Sequence, residues 1–208
     1  MWDLGYSNTR IRHRLSISLS EELNRYTNPF VFYDKDQKVY EQPSLVGKVD
    51  LDINYDDYLL GDFHYNNGKK NTGPLDFSTK NFMSISEQHK FIKQVIFPES
   101  ITTKERLDLS DEDYTLLYKE MSILPRHSDY PKYPDYNSYY DGYCKFFMYG
   151  DTKDTIPDHI KIFNKVGMAY GFLLDNAYII DTENNVEFIL TAVVYHNDNE
   201  TMNDLIVH

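Results

Sequence analysis

The sequence predicts an α+β fold, an antiparallel sheet with flanking helices. Residues 177–181 and 186–195 are two apolar, β-branched runs joined by the polar tetrapeptide Thr182-Glu183-Asn184-Asn185, the pattern of a β-hairpin. Upstream, two segments ending near Pro98 and Pro125 have helical periodicity and capping residues. Between residues 30 and 74 the chain has little helical character and many turn residues.

Taken in order, Leu4-Gly5-Tyr6 reads as a helix end with Gly at its stop. Leu15, Ile17 and Leu19 alternate with serines, a period-two strand signal, and residues 21–29 read as loop. Phe30-Val31-Phe32-Tyr33, a turn at residues 34–37 and the return Lys38-Val39-Tyr40 form a predicted hairpin. Asn66-Asn67-Gly68-Lys69-Lys70 and Asn71-Thr72-Gly73-Pro74 are loop chemistry. A helix is expected over 76–97, its main body capped by Ser84 with Glu87 at capping-box spacing. Phe91, Ile92, Val95 and Ile96 form its apolar stripe. A second helix starts near Ser110, with Asp111, Glu112 and Asp113 at the positive end of its dipole. Leu116, Leu117 and Met121 are its expected inward face. Residues 126–140, rich in Tyr and Pro, read as an ordered loop, and a short helix is expected over 139–149. Residues 160–163 enter a strand. The near-continuous apolar character of the closing hairpin predicts a sheet covered on both faces.

The chain has 208 residues, 41% hydrophobic and 26% charged, a globular balance that excludes disorder. Its net charge of -12 repels a phosphate backbone, so nucleic acid is not an expected partner, and anionic lipid is disfavoured. No apolar run has the ~20 residues of a spanning helix. The first residues have neither the basic start nor the apolar core of a signal peptide, so the chain is either cytoplasmic or lacks its true N-terminus. Cys144 is the single cysteine, which excludes an intrachain disulfide; its aromatic surroundings suggest a small buried hydrophobe.

Lys165-Val166-Gly167 falls where the first of three C-terminal strands should lie. A strand-edge lysine can aim its ammonium into a cleft, and a glycine two residues on lets a ligand approach the backbone. The stretch from Lys165-Val166-Gly167-Met168-Ala169-Tyr170-Gly171 to Asp175-Asn176-Ala177-Tyr178-Ile179-Ile180 resembles the Lys-Thr-Gly strand and following hairpin of the serine beta-lactamases and penicillin-binding proteins. Residues 4–14 resemble the entry to that family's omega loop. Asp76-Phe77-Ser78-Thr79-Lys80 is similar to the opening of its next helix, and the order along the chain agrees. The resemblance covers about half the chain. It implies a bacterial serine hydrolase acting by acyl transfer on a beta-lactam or a D-Ala-D-Ala-type cell-wall peptide, in the periplasm or at the cell surface, without cofactor or metal. Residues 1–208 would then be a partial domain cut at both ends, with 28–75 a strand-and-loop insertion.

Within that resemblance Lys165 holds the substrate carboxylate and supports the proton network. The Met168 backbone N–H serves as an oxyanion donor. Val166, Gly167 and Ala169 line the substrate, and Val166, in place of the family's Thr or Ser, removes one hydroxyl contact. The departures are large. No Ser has Lys three residues on, Ser-Asp-Asn is absent, and the omega-loop Glu falls on Leu15 with Glu21 and Glu22 nearby. This chain alone is therefore expected to be inactive.

Each motif also has a plainer reading. Lys165 can be a solvated strand-edge lysine, and Arg10, Arg12 and Arg14 an ion-paired face. Asp50 to Asp56 spaces oxygens like a calcium loop, but Tyr55 replaces the required Gly and Gly61 the bidentate Glu, so a strand explains it better. The seven His residues show no ligand spacing. Tyr130, Tyr133, Tyr136, Tyr139 and Tyr140 either pack a loop onto the domain or form a platform for a sugar or peptide. The second functional reading is accordingly a non-catalytic, Tyr-rich binding or interaction module; chance similarity in an unrelated domain is the third.

Overall fold

The computed structural model describes residues 1–14, 17, 19–47, 58–66 and 68–196. The fold is α+β, with antiparallel strands and flanking helices. The chain divides into two compact units: Thr9–Phe82, which is wider than the 28–75 insertion expected, and Met1–Asn8 with the chain from Met83 onward.

The unit Thr9–Phe82 is built from local pairings. A four-residue helix, α1 (Glu21–Asn24), capped by the Ser20 hydroxyl, stands where loop was expected. Strands β1 (Phe30–Asp34) and β2 (Gln37–Gln42) form the predicted hairpin, with Lys35 at φ 53° in its turn. Strand β3 (Leu59–Leu60) pairs with β6 (Leu75–Asp76), while β4 (Phe63–Asn66) and β5 (Lys69–Thr72) make a hairpin whose second strand, with Asn66, had read as loop. The ladder there runs through Lys70 and Asn71, residues of low strand propensity; cross-strand pairing overrides it. Asn81 ties the ends of the unit, accepting from the Arg12 and His13 N–H groups and donating to the His13 carbonyl. Leu15, Ser16 and Ser18 of the alternating segment, and the whole Asp50 to Asp56 stretch, lie outside the described residues.

In the other unit, a 3-10 turn over Trp2–Leu4 stops at Gly5, whose φ of 82° is the left-handed cap expected there. Tyr6 follows, fully buried, edge-on to Phe91 and donating its hydroxyl to Gln94. Burial, with Glu105 and Glu87 nearby, pushes its pKa up to about 12.

Helix α2 (Ile85–Ile96) begins at Ser84 rather than near residue 76, because residues 75–76 are spent on a strand and 77–84 on turns. Ser84 accepts from the Glu87 N–H as the spacing predicted, while the buried Glu87 carboxylate accepts from the Asn8 N–H. Ile92 and Val95 are buried, as expected of the apolar stripe.

Helix α3 (Asp111–Ser122) has a complete capping box between Ser110 and Asp113, which holds the Asp113 carboxyl below its ordinary range. Leu116 points to solvent at 57% exposure, against expectation; Tyr114, Leu117, Tyr118 and Met121 are the half-buried face. The aromatic hydroxyls hid this face from an apolar count, and the Tyr118 hydroxyl donates to the carbonyls of Val95 and Ile96.

The helix expected over 139–149 is instead a 3-10 turn over Asp141–Cys144 and a kinked turn over Phe146–Tyr149, broken at Phe147 and at Met148 with φ 68°. Gly142 explains part of the break: a Cβ there would lie 2.0 Å from the Tyr149 carbonyl oxygen.

Strands β7 (Ile160–Ala169), β8 (Phe172–Asp181) and β9 (Val186–Tyr195) form a meander in that order, in unbroken register. One face packs on α2 and α3, with Phe97, Phe163 and Tyr178 in ring contact. The opposite face buries Ile160, Ile162, Ala177 and Ile179 with Ile156, covered by Leu124, Phe147 and Tyr149. This cover reaches β7 and β8 only. On β9 the same face carries Val186, Phe188, Leu190 and Val194 at 49%, 42%, 40% and 57% exposure. The expectation of a sheet covered on both faces therefore fails at β9.

Candidate functional site

Lys165, Val166, Gly167, Met168 and Ala169 form the second half of β7, an edge strand of the three-stranded sheet. Tyr170 at φ 53° and Gly171 at φ 85° make a two-residue turn of the primed type, which matches strand twist. Only glycine sits easily at position 171, where a Cβ would meet the His196 carbonyl at 2.8 Å. In such a hairpin Ala169 and Phe172 close the ladder, so hydrogen-bonded pairs alternate from there. Val166 and Met168 fall in the other class, and their N–H and C=O groups point away from β8.

Lys165 is exposed, and its ammonium donates to the Val166 carbonyl at 2.9 Å. Ala169 is exposed, while Val166, Gly167 and Met168 are half-buried. Gly167 is explained by packing: its Cβ position lies 3.1 Å from Leu174 Cγ. A groove of about 430 Å³ does flank β7, but at its other end, between Ser122, Leu124, His127, Ile156, Asp158 and Ile160; residues 165–169 are not part of it.

A buried polar cluster lies elsewhere, under the covered face of β7 and β8. Lys145 is 2% exposed; its ammonium donates to the Met121 carbonyl at 2.6 Å and to Asn164 Oδ1 at 2.7 Å. Burial lowers its pKa. Asn164 donates onward to Asp175 Oδ1 at 2.9 Å and to the Cys144 carbonyl. Asp175 Oδ2 accepts the N–H groups of Phe146 and Phe147, at 3.1 and 3.2 Å. Asp141, fully buried, is paired with Arg126 and accepts from the Ile156 N–H at 2.8 Å. Burial pushes the Cys144 thiol up, away from the reactive thiolate.

A buried lysine hydrogen-bonded through an amide to a carboxylate can serve proton transfer where a substrate reaches it. Here the chain is closed, and its donors and acceptors hold the strained 141–150 segment against the sheet. Sequence reading missed this cluster, since Lys145, Asn164 and Asp175 share no motif. The one available signal was three polar residues inside otherwise apolar or aromatic runs.

The tyrosines gather beside it. Tyr133, Tyr139 and Tyr143 are in ring contact at 4.8 and 5.2 Å, and Tyr140 meets Tyr143 edge-on. Tyr143 is half exposed, and the Lys153 ammonium lies 5.6 Å from the Tyr140 ring centre. Tyr130 is 96% exposed. No group of three or more His, Cys, Asp or Glu able to hold a metal occurs among the described residues. No helix among them is long and apolar enough to cross a membrane. Comparison with protein-family models, with curated proteins and with solved structures finds no match.

Proposed function

We propose that this chain is a non-catalytic interaction module whose Tyr-rich surface receives a cationic segment of a partner protein. The observation that carries the reading is Lys153, a cation of the chain itself, over the face of Tyr140 beside the half-exposed Tyr143. Ring faces attract ammonium and guanidinium groups, by ~0.5–1 kcal/mol at exposed sites. The net charge of -12 favours the encounter at long range. Asp135, held ionised below its ordinary range by the Ser138 hydroxyl and the Asn137 N–H, adds a fixed negative charge on the same loop.

Fluorescence anisotropy with an oligo-arginine peptide, and an oligo-glutamate peptide as control, tests it. Binding should occur only with the cationic peptide and weaken with salt. Tyr143→Ala and Tyr139→Ala should each lower affinity roughly two- to fivefold. Unchanged affinity in both variants would remove the tyrosines from the site.

The hydrolase reading keeps one supporting observation: an exposed Lys165 on an edge strand, with the Met168 N–H directed off the sheet. On that reading the chain is a fragment of a periplasmic or cell-surface acyl-transfer enzyme, with its nucleophile elsewhere. Covalent labelling of the intact protein by a fluorescent penicillin is its expected signature, and absence of labelling counts against it.

A further inference from the structure

The two outer strands of the meander are guarded differently. Edge strands present unpaired N–H and C=O groups, and proteins blunt them with lysine, proline, bulges or short length. Strand β9 has none of these. It runs ten residues, Val186-Glu187-Phe188-Ile189-Leu190-Thr191-Ala192-Val193-Val194-Tyr195, in unbroken register, with a single charge and no Lys, Arg or Pro. No strand among the described residues pairs with its outer side. Four apolar side chains at alternate positions stand 40–57% exposed on one face.

We propose that the chain forms a twofold dimer in which β9 pairs antiparallel with β9 of a second copy, joining two three-stranded sheets into one of six strands. The register follows from the ladder. On β8, residues 173, 175, 177, 179 and 181 turn their backbone groups toward β9, so 186, 188, 190, 192 and 194 bond inward on β9. The groups of Glu187, Ile189, Thr191 and Val193 therefore point outward. Only registers that match these positions with each other can bond, and centring the axis on Leu190 keeps the whole apolar row in contact. Val186 then faces Val194 of the second copy, Phe188 faces the small Ala192, and Leu190 faces Leu190. These are the non-hydrogen-bonded pairs, in which side chains approach most closely.

The strand's own charge does not oppose pairing with a like strand. The two Glu187 side chains fall at opposite ends of the seam, six residues or about 20 Å apart, well beyond the screening length of ~8 Å. A ten-residue seam is about 33 Å long. With four half-exposed apolar side chains per copy it buries roughly several hundred Å² on each, the low end for dimers, which fits a micromolar dissociation constant.

Sedimentation of the full chain should show a monomer–dimer equilibrium in the micromolar range. Leu190→Lys, which sets two ammonium groups face to face, should weaken it at least about tenfold while far-ultraviolet dichroism stays unchanged. Cysteine cross-linking checks the register without relying on that variant. In a Cys144→Ala background with copper–phenanthroline as oxidant, Leu190→Cys should give a disulfide-linked dimer. Val186→Cys alone should not, but should cross-link when mixed with Val194→Cys. A wild-type chain monomeric throughout that range overturns the proposal, whether or not β9 takes a strand from another protein. So does cross-linking of Val186→Cys alone as efficiently as Leu190→Cys.

Discussion

Strands β7 and β9 flank the same central strand and have the same length, yet the molecule treats them in opposite ways. Along β7, one face buries Ile160, Ile162 and Asn164, and the helix-packed face carries Lys161 and Lys165, both exposed, on either side of the half-buried Phe163. The Lys165 ammonium covers the outward carbonyl of Val166, a lysine guarding its own edge. Along β9 the row Val186, Phe188, Leu190 and Val194 meets solvent, and the strand itself carries no Lys or Arg. The difference teaches that Lys165, the residue on which the hydrolase resemblance turns, has a sufficient structural role where it stands. It also marks β9 as the edge whose purpose is unaccounted for within one copy.

The largest expected effect breaks the β7 side from below. Asp175→Ala removes the acceptor of the Phe146 and Phe147 N–H groups and of the Asn164 amide, leaving buried donors unpaired. A loss of about 3–5 kcal/mol is expected, read as a lower urea midpoint with an unchanged slope. Ile179→Ala, which empties the core under β8, should cost ~2–4 kcal/mol. On β9, by contrast, Leu190→Lys should move monomer stability by no more than about 0.5 kcal/mol while shifting the association equilibrium, so the two faces separate fold from assembly.

A reciprocal change sharpens the comparison. Lys161→Leu with Lys165→Leu strips the guard from β7 and should raise concentration-dependent self-association, measured by light scattering, with thermal stability nearly unchanged. If β7 stays inert without its lysines, edge guarding is not their role.

The smallest effect is alkaline. Burial, then the hydrogen bond to Glu187 on β9, raises the Tyr178 pKa to about 12, and Tyr6 reaches about 12 through burial. A folded-state pKa above the unfolded value near 10 means stability held below pH ~10 and lost as pH climbs toward 12, by about 1.4 kcal/mol per pH unit for each tyrosine. Tyr178→Phe should flatten that slope.

Much of the fold was legible because its causes are local. Ser84 and Ser110 cap the helices that their spacing announced, Gly5 ends the first turn, and the β9 boundaries agree with residues 186–195. The misreadings share one origin. Residues 76–84 had helical composition but pair or turn, Leu116 faces out while Tyr114 and Tyr118 face in, and 139–149 is two turns rather than a helix. Each outcome was set by a neighbour distant in sequence. The candidate cluster was hidden for the same reason: Lys145, Asn164 and Asp175 meet through the β7–β8 register and the folding-back of 141–150, and no spacing encodes that meeting.

By itself the sequence determined the periodicities, the caps, the turns and the acidic surface, because these depend on residues within a few positions of each other or on a sum over the chain. Tertiary structure alone decided which lysine is buried and which guards an edge, which tyrosines gather, and which face of β9 stays bare. Burial and pairing are properties of the partners a residue meets, and those partners are chosen only when the whole chain has folded.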